Sequence, residues 1–411
     1  MKLEVQELNS KAKALAAGGS WIATFYHQPR QTWLRRCMFQ IHLWSGLGVG
    51  LIAAVVGLSG SAIVYKDSLD RLITPQFFQT HDGAQRLSLD DLLARARKDH
   101  PGWLVSYVSI VPQPDVHRRG PWMFYLSPPA TSASHELSLT YYDPFDGKRL
   151  GEIGEAGGVM NWLAELHFRL LGGATGTVVN GIGAALLLFL CITGIVLWWP
   201  GRKRLRSGFV IQWKARWLRV NWDLHNVLGF WFSIPLAIEA FTGVYYCFFA
   251  PMGAALVFLL GGSVQQWQTM SVPPRSTVVA GVNAVPVEPM LQQSLRLHPD
   301  CSLRGLAIPI APTDPVTVQL DPPHAEDLGE YAQVAFDRYS GRILSDVDSR
   351  EQSLAIRLVL FIRPLHFGTF AGHWSRIAWI LVGIAPAVLF VTGFIMWWRR
   401  VPSRLLKTKS S

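Results

Sequence analysis

The chain has 411 residues, of which 50% are hydrophobic and only 16% are charged, and its net charge is +10. That balance excludes both a soluble globular protein and a disordered one, and it indicates a polytopic membrane protein. The positive charge is gathered in three short segments that flank apolar runs, so it tracks membrane topology and no nucleic-acid partner is expected.

Residues 1–36 are polar to amphipathic and carry Arg30, Arg35 and Arg36 at their end. They are expected in the cytoplasm, as are the other two basic segments. No cleavable signal peptide is read here, because the first apolar run starts late and is too long. That run is the first span, 37–65, apolar from Phe39 to Tyr65 and closed by Lys66 and Asp67.

Residues 66–160 read as a soluble α+β segment. A helix is expected over Ser88–Lys98, ended by His100-Pro101, because proline disfavours helix in the residue before it. Strands follow at Leu104–Val111 and Met123–Leu126. The run Tyr141-Tyr142-Asp143-Pro144-Phe145-Asp146-Gly147 reads as a hairpin turn.

Residues 161–199 are expected to form an edge helix leading into the second span, apolar over Thr177–Trp199. The loop 200–222 carries Arg202, Lys203, Arg204, Arg206, Lys214, Arg216 and Arg219 with no acid before Trp222. The third span and an interfacial extension occupy 223–262, with the span read over Leu224–Phe249. A second soluble segment, 263–355, has a helix Glu288–Leu297 ending in His298-Pro299, strands Gly305–Ile310, Val316–Leu320 and Tyr331–Phe336, and a turn from Asp337 to Gly341. Residues 356–398 repeat the edge helix and span, apolar over Ile377–Trp398. The tail 399–411 is basic again.

The two halves repeat one another. Leu166, His167, Phe168, Gly173, Thr193, Gly194, Trp198 and Trp199 match Leu365, His366, Phe367, Gly372, Thr392, Gly393, Trp397 and Trp398 at one constant offset. Leu126, Pro128, Pro129, Asp143 and Gly147 match Leu320, Pro322, Pro323, Asp337 and Gly341, and His42, Gly46 and Gly60 match His225, Gly229 and Gly243. Each half reads span, soluble segment, span, which is a parallel repeat about an axis along the membrane normal. If His167 and Trp198 lie on one helix they are roughly 45 Å apart, against an apolar core about 30 Å thick. The histidine then stands at one membrane face and the tryptophans at the other.

The repeat singles out four of the twelve histidines. His27, His81, His117, His135 and His324 lie in polar stretches and read as solvated. His100 and His298 read as helix-end residues. His42 and His225 open apolar spans just inside the cytoplasmic face, each with a glycine at i+4 that leaves flat space beside the ring. An ionisable side chain at that depth is expensive and usually functional. His167 and His366 form the second pair, near the outer face. Two imidazoles at each level can clamp one haem iron axially, a closed geometry suited to electron transfer. Zinc is the competing metal, but it usually takes four N/S ligands, or three and water. His373, seven residues beyond His366, is a fifth candidate: it replaces His366 as a ligand or faces substrate. Glu239, in mid-span, is read evenly between a hydrogen-bonded carboxyl and a proton or quinone contact. Trp44 and Trp231 could pack on a porphyrin, though core packing suits each better. The cysteines, Cys37, Cys191, Cys247 and Cys301, form no disulfide framework, and no CxxCH motif supports covalent haem.

The HxxxG element, the Asp-Pro turn, the doubled Leu-His-Phe element and the Thr-Gly…Trp-Trp ending together resemble the PepSY-associated transmembrane proteins, also called iron-regulated membrane proteins. The resemblance covers about residues 35–400. It implies a four-helix membrane bundle with two α+β PepSY-like periplasmic domains, in the bacterial inner membrane, with both termini cytoplasmic. Similarity to FoxB-type ferric-siderophore reductases implies two b-type haems, with His42, His225, His167 and His366 as ligand candidates.

The expected function is therefore an inner-membrane ferric-siderophore oxidoreductase. Its electrons come from quinol or a cytoplasmic reductant, and its substrate is a ferric siderophore of the hydroxamate or catecholate kind, docked between the soluble segments. Two alternatives are a permease for the ferric siderophore and a haem-free PepSY envelope protein that binds or regulates a partner.

Overall fold

Four helices of this computed structural model are long and apolar enough to cross a membrane: Arg35–Ile63, Gly173–Trp198, Trp217–Cys247 and Gly372–Arg400. Only 17% to 33% of the most apolar window of each is buried by protein, which leaves the remaining apolar surface for lipid. The structure describes residues 33–408 apart from 82–84, 112–119, 130–136, 155–156, 273 and 280. His27, His117 and His135, and most of the segment 1–36, lie outside the described residues.

In chain order the principal elements are α1 (Trp33–Ile63), α2 (Leu89–Asp99), β1 (Leu104–Ile110), β2 (Trp122–Ser127), β3 (Ser138–Tyr142), β4 (Arg149–Gly154), α3 (Val159–Arg169), α4 (Gly173–Trp198) and α5 (Trp217–Cys247). There follow α6 (Glu288–Leu297), β5 (Ser302–Ala307), β6 (Val316–Asp321), β7 (Ala332–Phe336), β8 (Ile343–Asp348), α7 (Ile362–Phe367) and α8 (Gly372–Thr408). The chain divides into two compact units: residues 1–61, 174–247 and 380–411 form the first, and residues 62–173 and 248–379 form the second.

The first unit holds the greater part of α1, α4, α5 and α8. Its helices touch through small residues, since in lipid close backbone approach and van der Waals contact replace the hydrophobic effect as the driving force. A Cβ on Gly57 of α1 would collide with the Gly383 carbonyl of α8. Near that crossing the Ser61 hydroxyl donates to Ile380 O at 2.9 Å. A Cβ on Gly243 of α5 would stand 3.4 Å from the Ala184 Cβ of α4, at the edge of ordinary contact.

The second unit is built on one sheet of eight antiparallel strands, ordered β4-β3-β2-β1-β5-β6-β7-β8. The two soluble segments therefore share a sheet instead of forming separate ones. They join where Tyr107, Val108 and Ser109 pair with Ala307, Leu306 and Gly305. Helices α2 and α6 cover the sheet, burying Leu89, Leu92, Leu93, Met290 and Leu291 against Phe124, Val318 and Phe336.

Each of these helices caps the other. The Asp90 carboxylate accepts from the N–H groups of Val287 and Glu288 at 2.9 and 3.0 Å, and Glu288 accepts from Leu89 N–H at 2.7 Å. Both helix N-termini thus receive an anion where their unpaired N–H groups and dipoles favour one.

The two Asp-to-Gly turns end in glycines at φ 70°, a left-handed conformation that disfavours a side chain. Burial alone would raise the Asp337 pKa, but hydrogen bonds from Thr277, Tyr339 and Ser340 outweigh it and hold the carboxyl down at about 2. Asp143 is held in the same manner by His81 and Phe145, so His81, read above as solvated, has a structural partner. His100 and His298 stand at the C-caps of α2 and α6. The His298 ring also meets Asp346 at 2.8 Å.

The edge helices differ from the sequence expectation. His167 and the second span do not share one helix. Helix α3 stops at Leu170 and Leu171, both left-handed at φ 49° and 56°, with Leu171 N–H reaching back to Glu165 O. That bond spans one residue more than the six-to-one closure of a Schellman end. Helix α7 likewise stops at Gly368, φ 67°, with Thr369 N–H returning to Pro364 O. His373 consequently sits on a different helix from His366, and the seven-residue spacing does not give them a common face. The third span also begins earlier than expected, at Trp217.

Candidate functional site

His42 on α1 and His225 on α5 line one cavity of about 550 Å³ in the first unit. Each is anchored by the threonine of a Thr-Gly pair on another helix. His42 Nδ1 lies 2.8 Å from Thr193 Oγ1, and His225 Nδ1 lies 2.9 Å from Thr392 Oγ1. Each hydroxyl donates its own proton backward along its helix, Thr193 to Phe189 O at 3.0 Å and Thr392 to Val388 O at 2.7 Å. The threonine oxygen is then an acceptor, so each imidazole carries its proton on Nδ1 and keeps the Nε2 lone pair. That is the tautomer a metal ligand needs, set by an outer-shell bond.

The adjoining glycines explain why the motif is Thr-Gly. A Cβ on Gly194 would stand 3.5 Å from His42 Cε1, and one on Gly393 would stand 3.2 Å from His225 Cε1. Gly46 and Gly229, one turn beyond each histidine on its own helix, also face the cavity. The walls between are mainly apolar, with Leu190, Leu389 and Phe390 among them, and among the described residues no aspartate or glutamate lines the cavity.

A b-type haem fits this chamber. Its volume lies within the roughly 300–1,000 Å³ of pockets that enclose organic ligands, far more than one ion fills. Zinc fits less well. Cys191 also lines the cavity, a residue the sequence reading did not place there. Among the described residues, however, the one group of three histidine, cysteine or carboxylate ligand atoms within 4.8 Å of each other is His81, Asp143 and Asp146, elsewhere in the fold.

The second pair lies in the second unit. His167, near the end of α3, and His366, near the end of α7, face each other with ring centres 6.1 Å apart and planes at 45°. An imidazole nitrogen sits about 2 Å from a metal it binds, which puts the centres of two rings sharing one metal about 6 Å apart. The observed spacing is one that two ligands of a shared metal could take. Burial, and after it the neighbouring His167, lowers the His366 pKa to about 3, so its ring is neutral and its lone pair is available. The breaks after α3 and α7 turn the chain immediately beyond each histidine.

The remaining candidates go elsewhere. His373 Nδ1 meets the Tyr65 hydroxyl at 3.1 Å, with the rings stacked. Glu239 lies on α5 and is partly buried. Trp44 and Trp231 are each 62% exposed and do not line the cavity. Trp198, Trp222 and Trp397 line it instead. The two threonines are the functional residues that sequence reasoning left without a role; the signal was their identical place in both halves.

The sequence model of the family described as the PepSY-associated TM region matches residues 39–400. No curated protein matches the chain.

Proposed function

The chain belongs to the PepSY-associated transmembrane family, and from that membership we propose that it is a di-haem b oxidoreductase of the bacterial inner membrane. It would pass electrons from quinol or a cytoplasmic reductant to Fe(III) held by a siderophore in the periplasm, in the manner of FoxB-type reductases. Two b-type haems, when bound, supply one-electron transfer. His42 and His225 would hold one, and His167 and His366 the other. The absence of a CxxCH motif leaves both haems non-covalent.

The observation that carries this reading is the pairing itself. Four imidazoles stand as two pairs, one lining a single cavity and the other with its rings facing, and in the first pair a threonine anchors each ring. The basic segments Arg30–Arg36, Arg202–Arg219 and Arg399–Lys409 support a topology with His42 and His225 toward the cytoplasm. His167 and His366 then belong to the periplasmic side, beside the eight-stranded sheet, where the two soluble segments offer a surface for the ferric chelate. The matched residues of the two halves support an internal two-fold repeat. Fe(II) has the lower charge and is the softer ion, so it binds hydroxamate or catecholate oxygens less tightly than Fe(III), and reduction releases it.

The decisive measurement is a dithionite-reduced minus oxidised spectrum of protein made with ample haem, followed by anaerobic mixing of the reduced protein with a ferric hydroxamate and a ferrous trap. A low-spin b-type spectrum, two haems per chain and reoxidation by the chelate are expected. A protein without Soret or α bands overturns the reading. If it then moves labelled chelate into vesicles it is a permease.

The threonines give a finer expectation. Thr193→Val or Thr392→Val removes the acceptor that orients one imidazole while keeping its shape. Loss of such an outer-shell partner typically weakens metal binding about 10–100-fold, so Soret titration of apo-protein should show a drop of that order at the inner site alone.

A further inference from the structure

No charged residue stands between Glu239 of α5 and Arg275. The third span uses only the first part of that stretch. Helix α5 ends at Cys247, and the chain bends at Phe248, whose φ of −126° and ψ of 46° lie outside the helical range. A separate apolar helix, Phe249–Leu259, begins there. Its 11 residues reach roughly 16 Å, too short for an apolar core about 30 Å thick. The first half has no such element. Beyond its own first span the chain forms the helix Lys66–Ile73, which already carries Lys66, Asp67, Asp70 and Arg71.

One face of the apolar helix is covered by protein. Gly253 and Val257, one turn apart, are buried. Gly253 makes room for the Trp267 indole, which a Cβ there would strike, and the Trp267 ring also meets that of Phe249 at 5.5 Å. Trp267 belongs to a second short helix, Val264–Ser271, whose exposed residues Gln265, Gln268 and Thr269 are polar. The other face of the apolar helix carries Pro251, Ala255, Phe258 and Leu259, spaced i, i+4, i+7 and i+8 on one stripe. All four are exposed among the described residues, Phe258 by 69% and Leu259 by 75%. A helix at the edge of water turns polar side chains outward, whereas one that is apolar on every face is built for protein or lipid surroundings.

We propose that the helix Phe249–Leu259 lies within the periplasmic leaflet of the membrane, with its Pro251, Ala255, Phe258 and Leu259 stripe against lipid acyl chains, as a membrane anchor for the second unit. Covalent continuity with α5 delivers it to the membrane surface. The polar helix covers its inner face, so the two helices together have the apolar and polar sides that an interfacial helix combines in one. The helix Leu354–Leu360 adds to the apolar surface: it exposes Leu354 and Leu358, one turn apart, and its Ala355 stands beside Gly262. The inference takes from the function proposed above only the direction of the spans and does not depend on the haems.

The test places a photoreactive ring on the stripe. Full-length protein with Phe258→p-benzoylphenylalanine is illuminated in its native membrane, where the benzophenone inserts into the nearest C–H bonds, and the purified chain is weighed by mass spectrometry. A mass gain of one phospholipid is expected, and that gain should be lost when the same replacement is made at Gln268. Leu259→p-benzoylphenylalanine gives the same readout if the first variant fails to accumulate. Crosslinking chiefly to a second copy of the chain, or to another segment of its own chain, would overturn the proposal by covering the stripe with protein. The absence of any adduct would overturn it by leaving the stripe in water.

The leaflet is read separately. Gln268→Cys should react with a membrane-impermeant maleimide added outside intact spheroplasts, above the level of the parent protein. Reaction only after lysis would overturn the periplasmic placement, and with it the topology proposed above, while the lipid contact is judged by the adducts alone.

Discussion

His42→Ala and His225→Ala are each expected to lower the haem content from two per chain to one, and to remove the same haem. His167→Ala and His366→Ala should each remove the other one. The reason is that a haem iron held by two imidazoles loses half of its protein ligation when either is truncated, and at the inner site the remaining contacts are mainly apolar wall. The double variant His42→Ala/His225→Ala should therefore be no worse than either single change. His42→Ala/His167→Ala should contain no haem at all, because it damages both pairs. Pyridine haemochrome assays on purified variants read this directly, and ferric-chelate reduction should be lost in every case. Two haems retained in any of the four single variants would break the pairing at that position.

The second large effect concerns the glycines under the rings. Gly393→Leu should abolish the inner haem, because even a Cβ there comes within 3.2 Å of His225 Cε1 and 3.7 Å of its Nδ1. A leucine must displace the imidazole from Thr392 or occupy the cavity itself. Gly194→Ala is the matched control. Its Cβ would meet His42 Cε1 at 3.5 Å, an ordinary contact, so the haem should stay. That substitution also replaces a helical glycine, gaining about 1 kcal/mol of helix propensity, so its apo-protein should melt no lower than the parent. Reading haem content and thermal stability together in the two variants separates loss of the site from loss of the fold. A normal haem complement in Gly393→Leu would show that the haem lies elsewhere.

Much of the architecture could be read before any coordinates. The turn from Asp143 to Gly147 joins β3 and β4, and the helices ending at His-Pro are α2 and α6 within one residue at each end. Strands β3, β4 and β8 went unread: the turn absorbed Tyr141 and Tyr142 of β3, and Arg149–Gly154 and Ile343–Asp348 mix charges with short apolar residues and show no clean alternation. The mutual capping by Asp90 and Glu288 was also invisible, since it links residues far apart in the chain.

The sequence by itself determined which segments enter the lipid, because apolar content is a property of each segment alone, and its repeat named which histidines stand at equivalent places. Only the tertiary structure decided what each of them faces. In a bilayer the lipid side and the protein side of a helix are both apolar, so periodicity cannot tell them apart. Trp44 and Trp231 turn outward while Thr193 and Thr392 turn inward to the imidazoles. The breaks beyond His167 and His366 were equally hidden, since Leu170 and Leu171 take left-handed backbone that no local preference of leucine would select.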